Sequence, residues 1–152
     1  MSKNKNRGDF QKCFEMAKAF DDAAKRCIEN KEFFEGYVIY PFTVNAALAC
    51  ELYMKAIMMR HSESNEFSRG HLFDELFYEL PEQAKIAIEE KYSKFGHLKF
   101  ADMLNLNRNV FNKWRYAFEG EYSSVALFGL EDFMEALRQY FEETKDCNNS
   151  DL

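Results

Sequence analysis

Asn105, Arg108, Asn112, Arg115 and Glu119 recur at spacings of three and four residues. On a single helix, expected from about Phe100 to about Glu119, they form one line. Met103, Leu106, Val110, Trp114, Ala117 and Phe118 fall on the other side. Two guanidinium groups and a carboxylate in a row either face water or hold something anionic. Arginine suits the second task, because its planar fork grips phosphate through two parallel hydrogen bonds. Arg108, Asn112 and Arg115 are therefore the candidate anion- or RNA-binding residues.

A second set lies on the helix expected from about Phe42 to about Arg60. Glu51 and Lys55 are the charges inside an otherwise apolar stretch. Spaced i, i+4 with Glu first, they are neighbours in the favourable order. On a central helix both heads are costly unless paired or wetted. Two readings stand. Glu51 and Lys55 form an ordinary salt bridge on a thin solvent-facing strip, or they meet Arg115 and Glu119 across a helix interface as a polar network. His71 follows Gly70 at an expected helix N-terminus, ahead of Asp74 and Glu75. The helix dipole disfavours imidazolium there and the acids oppose that effect. The expected role is a cap or packing residue. His61 and His97 read as surface residues.

These residues need elements to position them. The chain has 152 residues, 47% of them hydrophobic, with 16 Phe but only 2 Pro and 6 Gly. Long stretches without breakers favour helices, and the length fits one domain over about residues 9–145, with 1–8 and 146–152 as flexible termini. The first helix is expected from about Asp9 to about Asn30, with Phe10, Cys13, Ala17, Phe20, Ala24 and Cys27 as its stripe. Pro41 marks the start of the second, whose near-continuous apolar surface places it mid-bundle. Gly70 closes a polar loop ahead of a short helix to about Leu80. Pro81 opens another that Gly96 ends, with Ala84, Ile86, Ala87, Ile88 and Tyr92 inside it. A last helix is expected from about Ala126 to about Lys145. No strand pattern is visible. The fold class is all-α, a bundle of about five to six helices with an up-and-down core.

The net charge of −6 excludes generic affinity for nucleic acid or anionic membrane. The four cysteines form no C-x-x-C pair and the histidines lack zinc-ligand spacing, so neither metal nor cofactor is expected. A reduced, cytoplasmic setting fits unpaired cysteines on apolar faces. No phosphate-cradling Gly-rich loop, G-x-S-x-G elbow or H-E-x-x-H pair occurs.

The run Ala47 to Ala56, then Gly70-His71 with Leu76-Phe77, Leu80-Pro81-Glu82-Gln83, and Arg115-Tyr116 with Glu119 resembles, as an ordered set, HEPN-domain proteins. These are small prokaryotic all-helical proteins often found in defence and toxin–antitoxin contexts. The resemblance covers roughly Pro41 to Glu119. It implies a homodimer and a partner protein, a nucleotidyltransferase or an antitoxin. The family's G-H-D-L is Gly70-His71-Leu72-Phe73 here, without the acid beside the histidine. Catalytic members carry Arg, four to six residues, then His, as metal-independent ribonucleases. Arg108-Asn109 matches the start of that motif, but Lys113, Trp114 and Arg115 stand where the histidine belongs. Cleaving RNA through its 2′-hydroxyl needs a proton acceptor and donor near neutral pH, which suits imidazole and not guanidinium. The catalytic candidates reduce to Arg108, Asn109 and His71.

Three functions follow as expectations. The first is a non-catalytic HEPN-like protein acting by association, with itself and with a partner. The second is an RNA-binding protein or endoribonuclease using Arg108, Arg115 and His71. The third is a small-anion or nucleotide-binding regulator with Arg115, Lys55 and Glu51 lining a pocket between helices.

Overall fold

The computed structural model describes residues 6–29, 39–110 and 126–144. Among them are six helices: α1 (Phe10–Ile28), α2 (Ile39–His61), α3 (Phe73–Tyr78), α4 (Glu82–Ser93), α5 (Phe100–Leu106) and α6 (Ala126–Glu143). The fold is an all-α bundle, as the scarcity of breakers predicts. Asp9 starts α1 by accepting the Gln11 and Lys12 amides, at 3.0 and 3.1 Å, a side-chain N-cap. Pro41 lies in the first turn of α2, where its missing N–H leaves no bond unmade.

α2 is the central element. Its most extensive contact is with α1, and it also packs on α6, α3 and the short strand below. It is long and apolar enough to cross a membrane by length and composition, yet 78% of its most apolar window is buried inside the bundle. Ala46, Ala47, Ala49, Cys50, Tyr53, Met54, Ala56 and Ile57 are wholly enclosed. The small residues let neighbours approach closely, and large rings fill the remaining space. Phe14 of α1 stacks on Phe141 of α6 at 4.0 Å between centroids and tilts against Tyr53 at 5.7 Å. A second aromatic group, Phe77, Tyr92, Phe100 and Phe133, ties α3, α4 and α5 to α6. Gly129 permits the α5–α6 approach, since a Cβ there would come within 2.6 Å of Met103 Cγ.

Five expectations need correction. A strand pair exists: β1 (Asn6–Arg7) runs antiparallel to β2 (Glu66–Phe67), with Arg7 opposite Glu66. It pins residues assigned to a flexible terminus. Each strand has only two residues, too short for alternation to register. Asn65 turns the chain into β2 at φ 53, a left-handed conformation that Asn tolerates better than most residues. Second, the buried stripe of α1 is Phe14, Ala17, Asp21 and Ala24; Phe10, Cys13, Phe20 and Cys27 pack at its edges. Third, Leu106, expected on the apolar side of its helix, is 45% exposed, and Ile86 of α4 is 52% exposed. Fourth, His61 is half-buried and bonds the Tyr140 hydroxyl at 2.9 Å.

The fifth correction matters most for function. The helix from Phe100 stops at Leu106, and residues 107–109 form a turn. Asn107, fully buried, sends its side-chain amide to the Met103 carbonyl at 3.0 Å while its own N–H reaches the same oxygen at 3.1 Å. A side chain that takes a carbonyl of its own helix competes with the helical ladder. The Arg108 and Val110 amides then bond the Asn105 and Asn107 carbonyls, three and three residues back. Asn105 and Arg108 therefore do not share one uninterrupted helix. Asn112, Arg115 and Glu119 lie outside the described residues.

Candidate functional site

The site is the corner where the middle of α2, the approach to α3 and the turn after α5 meet. Glu51 Oε1 accepts a hydrogen bond from His71 Nδ1 at 2.5 Å. Its other oxygen lies 3.9 Å from Lys55 Nζ. Both α2 heads are nearly enclosed, whereas the His71 side chain is 64% exposed. The Lys55 ammonium also stands 5.9 Å from the centre of the Phe67 ring. Glu51 and Lys55 thus pair as their spacing requires. The pairing of Glu51 with His71, twenty positions on, is what the sequence did not reveal. His71 caps nothing: the N-cap of α3 is Leu72, which makes no side-chain cap bond.

The geometry sets the chemistry of the imidazole. A carboxylate accepts, so Nδ1 carries the proton and Nε2 is the nitrogen left to accept or donate one. That is the arrangement of an oriented base. Cys13 of α1 sits close enough to feel both α2 charges. Burial pushes its thiol up to about 11, with Lys55 opposing and Glu51 reinforcing, and its Sγ donates to the Leu52 carbonyl at 3.2 Å. A thiol so disposed is no nucleophile at neutral pH.

Arg108 belongs to the same corner but to a separate cluster. Its carbonyl accepts the Phe73 amide at 3.0 Å, which docks the turn after α5 onto the start of α3, two residues past His71. Its guanidinium is turned to acids of that same helix: Nε lies 2.9 Å from Asp74 Oδ2 and Nη2 3.4 Å from Glu75 Oε1. The fold therefore brings Arg108 into the neighbourhood of His71 while its fork is already occupied. An incoming phosphate must displace two carboxylates and meet their charge. Asn109 is half-buried in the same turn. The proposed network of Glu51 and Lys55 with Arg115 and Glu119 cannot be placed, because Arg115 and Glu119, like Asn112, fall outside the described residues. Among the described residues no group of three or more metal-ligating side chains occurs.

A larger polar cluster is set by contacts distant in the sequence. Asp21 of α1 is completely buried. It accepts the Tyr53 hydroxyl at 2.6 Å and lies 3.1 Å from Lys25 Nζ and 3.4 Å from Arg138 Nη1. Lys25 continues to Glu135 at 3.2 Å, and Arg138 to Asp22 and Glu142 at 3.3 and 3.2 Å. Burial works against the Lys25 ammonium, but Asp21 and Glu135 outweigh it and its pKa is raised. Burial, then Asp21, also hold the Tyr53 hydroxyl firmly protonated. One signal was available: Asp21 falls between Ala17 and Ala24 at spacings of four and three, on the buried stripe itself. Arg60 was missed too. Its Nη1 donates to the Phe141 carbonyl at 2.8 Å, Nη2 reaches the Thr144 hydroxyl, and the guanidinium lies 4.0 Å over the Phe141 ring. It satisfies a carbonyl in the last turn of α6.

Comparison with protein-family models, with curated proteins and with solved structures finds no match for the chain.

Proposed function

We propose that this chain is a HEPN-like cytoplasmic protein that works by association, as a homodimer that engages a partner such as a nucleotidyltransferase or an antitoxin, and not by cleaving RNA. The observation that carries this reading is the engagement of Arg108 by Asp74 and Glu75. An arginine already neutralised by two acids, in an acidic chain, is poorly placed to hold a polyanion. Large apolar side chains left at the surface support association: Tyr78 on α3, Ile86 on α4 and Leu106 on α5 are 64%, 52% and 45% exposed. Sedimentation of the purified chain at micromolar concentration tests the reading, with a dimer expected. A monomer throughout, or cleavage of labelled single-stranded RNA that disappears in Arg108→Ala, overturns it.

A second reading, a metal-independent endoribonuclease or RNA-binding protein, draws on one specific observation. The 2.5 Å bond from His71 Nδ1 to Glu51 leaves Nε2, on a side chain 64% exposed, as a candidate base. Here His71 would take the part of the missing motif histidine and Arg108 would hold phosphate. Loss of cleavage in His71→Ala, with unchanged helical content, is its signature.

A further inference from the structure

Residues 6–9 form a short strap beside the end of α2. Asn6 and Arg7 pair with Phe67 and Glu66 of β2, the Gly8 amide donates to the Asn65 carbonyl at 3.0 Å, and Asp9 caps α1. Gly8 is the tightest point. A Cβ there would come within 2.8 Å of Met59 Sδ and 3.2 Å of Phe67 Cε1, so bare backbone lies against the Phe67 ring. The centre of that ring stands 5.9 Å from the Lys55 ammonium, Lys55 Nζ lies 3.9 Å from Glu51, and Glu51 accepts from His71 Nδ1 at 2.5 Å. We propose that the strap is a conformational control on His71. Seated, it keeps the imidazole proton on Nδ1 and presents Nε2 as an acceptor. Lifted, it lets that proton pass to Nε2, which then presents a donor.

Water is the means of control. Glu51 and Lys55 are nearly enclosed although both are charged, and contacts between such groups weaken once solvent reaches them. Phe67 belongs to a strand of only two residues and packs at the edge of the core. Among the described residues β1 is the strand that pairs with it. So short a ladder has little stability of its own, and the Gly8 seat supplies the rest. With the strap lifted, the Phe67 ring loses both its strand partner and the backbone packed on it. It no longer holds water from Lys55, and the hydrated Glu51 carboxylate loosens its grip on Nδ1. Which ring nitrogen carries the proton is set by the hydrogen bond the other group offers. A neutral imidazole released into water favours the Nε2–H form. The helices do not depend on the strap, because Phe14, Tyr53 and Phe141 join α1, α2 and α6 at a distance from it in the packing. The control concerns the orientation of the imidazole and stands apart from both functions proposed for the chain.

Long-range proton–nitrogen correlation spectra of the full chain test the proposal. Recorded at about pH 9, well above an ordinary imidazole's titration, they read the tautomer of each histidine. The wild type should show His71 in the Nδ1–H form. Gly8→Val forces side-chain carbons against Met59 and Phe67. It should lift the strap, seen as loss of the cross-strand contacts between Asn6 and Phe67, and shift His71 to the Nε2–H form with helical content unchanged. His97, which takes no part in these contacts, should keep its spectrum. Phe67→Leu should shift His71 in the same way, and adding Gly8→Val to it should have little further effect, because both changes act through one ring. Four results overturn the proposal: His71 in the Nε2–H form in the wild type, a strap still paired in Gly8→Val, a lifted strap with the His71 tautomer unmoved, or an unmoved His71 in Phe67→Leu.

Discussion

Asp21 and Arg108 are each held by charged partners on more than one side, yet they stand in opposite surroundings. Asp21 is wholly enclosed between α1, α2 and α6 and is met by Tyr53, Lys25 and Arg138. The Arg108 side chain is 49% exposed and is met by Asp74 and Glu75 on the surface of α3. Water decides what each cluster is worth. A carboxylate removed from solvent has lost its hydration and depends on its partners, so breaking its set is expensive. An exposed ion pair competes with water and salt and contributes little. The first cluster therefore holds the bundle together. The second governs what the surface can bind.

The difference can be broken at its strongest point first. Asp21→Ala strands the Tyr53 hydroxyl and separates Lys25 and Arg138 from their shared acid. We expect a loss of about 3 kcal/mol in urea unfolding, toward the low end for buried pairs. The low end applies because both cations keep outer acids, Glu135 for Lys25 and Asp22 and Glu142 for Arg138. Tyr53→Phe removes one hydrogen bond and leaves the ions in place, so about 1 kcal/mol is expected from the same measurement. Arg108→Ala should cost less than about 1 kcal/mol. If Arg108→Ala destabilises as much as Asp21→Ala, the contrast between the two clusters fails.

His61 sharpens the comparison through pH. Burial, then Arg60, depress its folded pKa below the usual 6.5. Its neutral form therefore favours folding above pH 6.5, and that contribution is lost as pH falls through the depressed value, because the unfolded chain takes the proton first. Urea midpoints measured from pH 7 down to pH 5 should decline less steeply in His61→Gln than in the wild type. Equal slopes would show that His61 carries no such linkage.

How much of this was legible follows from where each partner lies in the chain. The helices of the core were, because their apolar spacing is local and Asp9, Pro41, Gly70 and Pro81 punctuate it. Glu51 with Lys55 was legible for the same reason, one helical turn apart. Asp21 was half-legible: its position on the α1 stripe is a local signal, but Arg138 stands 117 positions away. Only packing joins them. Arg108 and its acids are 34 and 33 positions apart, and His71 and Glu51 twenty, so tertiary contact alone creates both pairs. The break after Leu106 carries no Gly or Pro. It depends on a buried Asn107 turning its amide to Met103, and a polar Asn in an amphipathic pattern reads as an ordinary surface residue.

The central claim is that Asp74 and Glu75 keep Arg108 from holding a polyanion. Binding and cleavage of labelled single-stranded RNA at low ionic strength, compared between the wild type and an Asp74→Asn/Glu75→Gln form, test it directly. The wild type should neither bind nor cleave the RNA, and salt-dependent binding should appear once the two acids are neutralised. RNA cleavage or tight salt-dependent binding by the wild-type chain, abolished in Arg108→Ala, would contradict it.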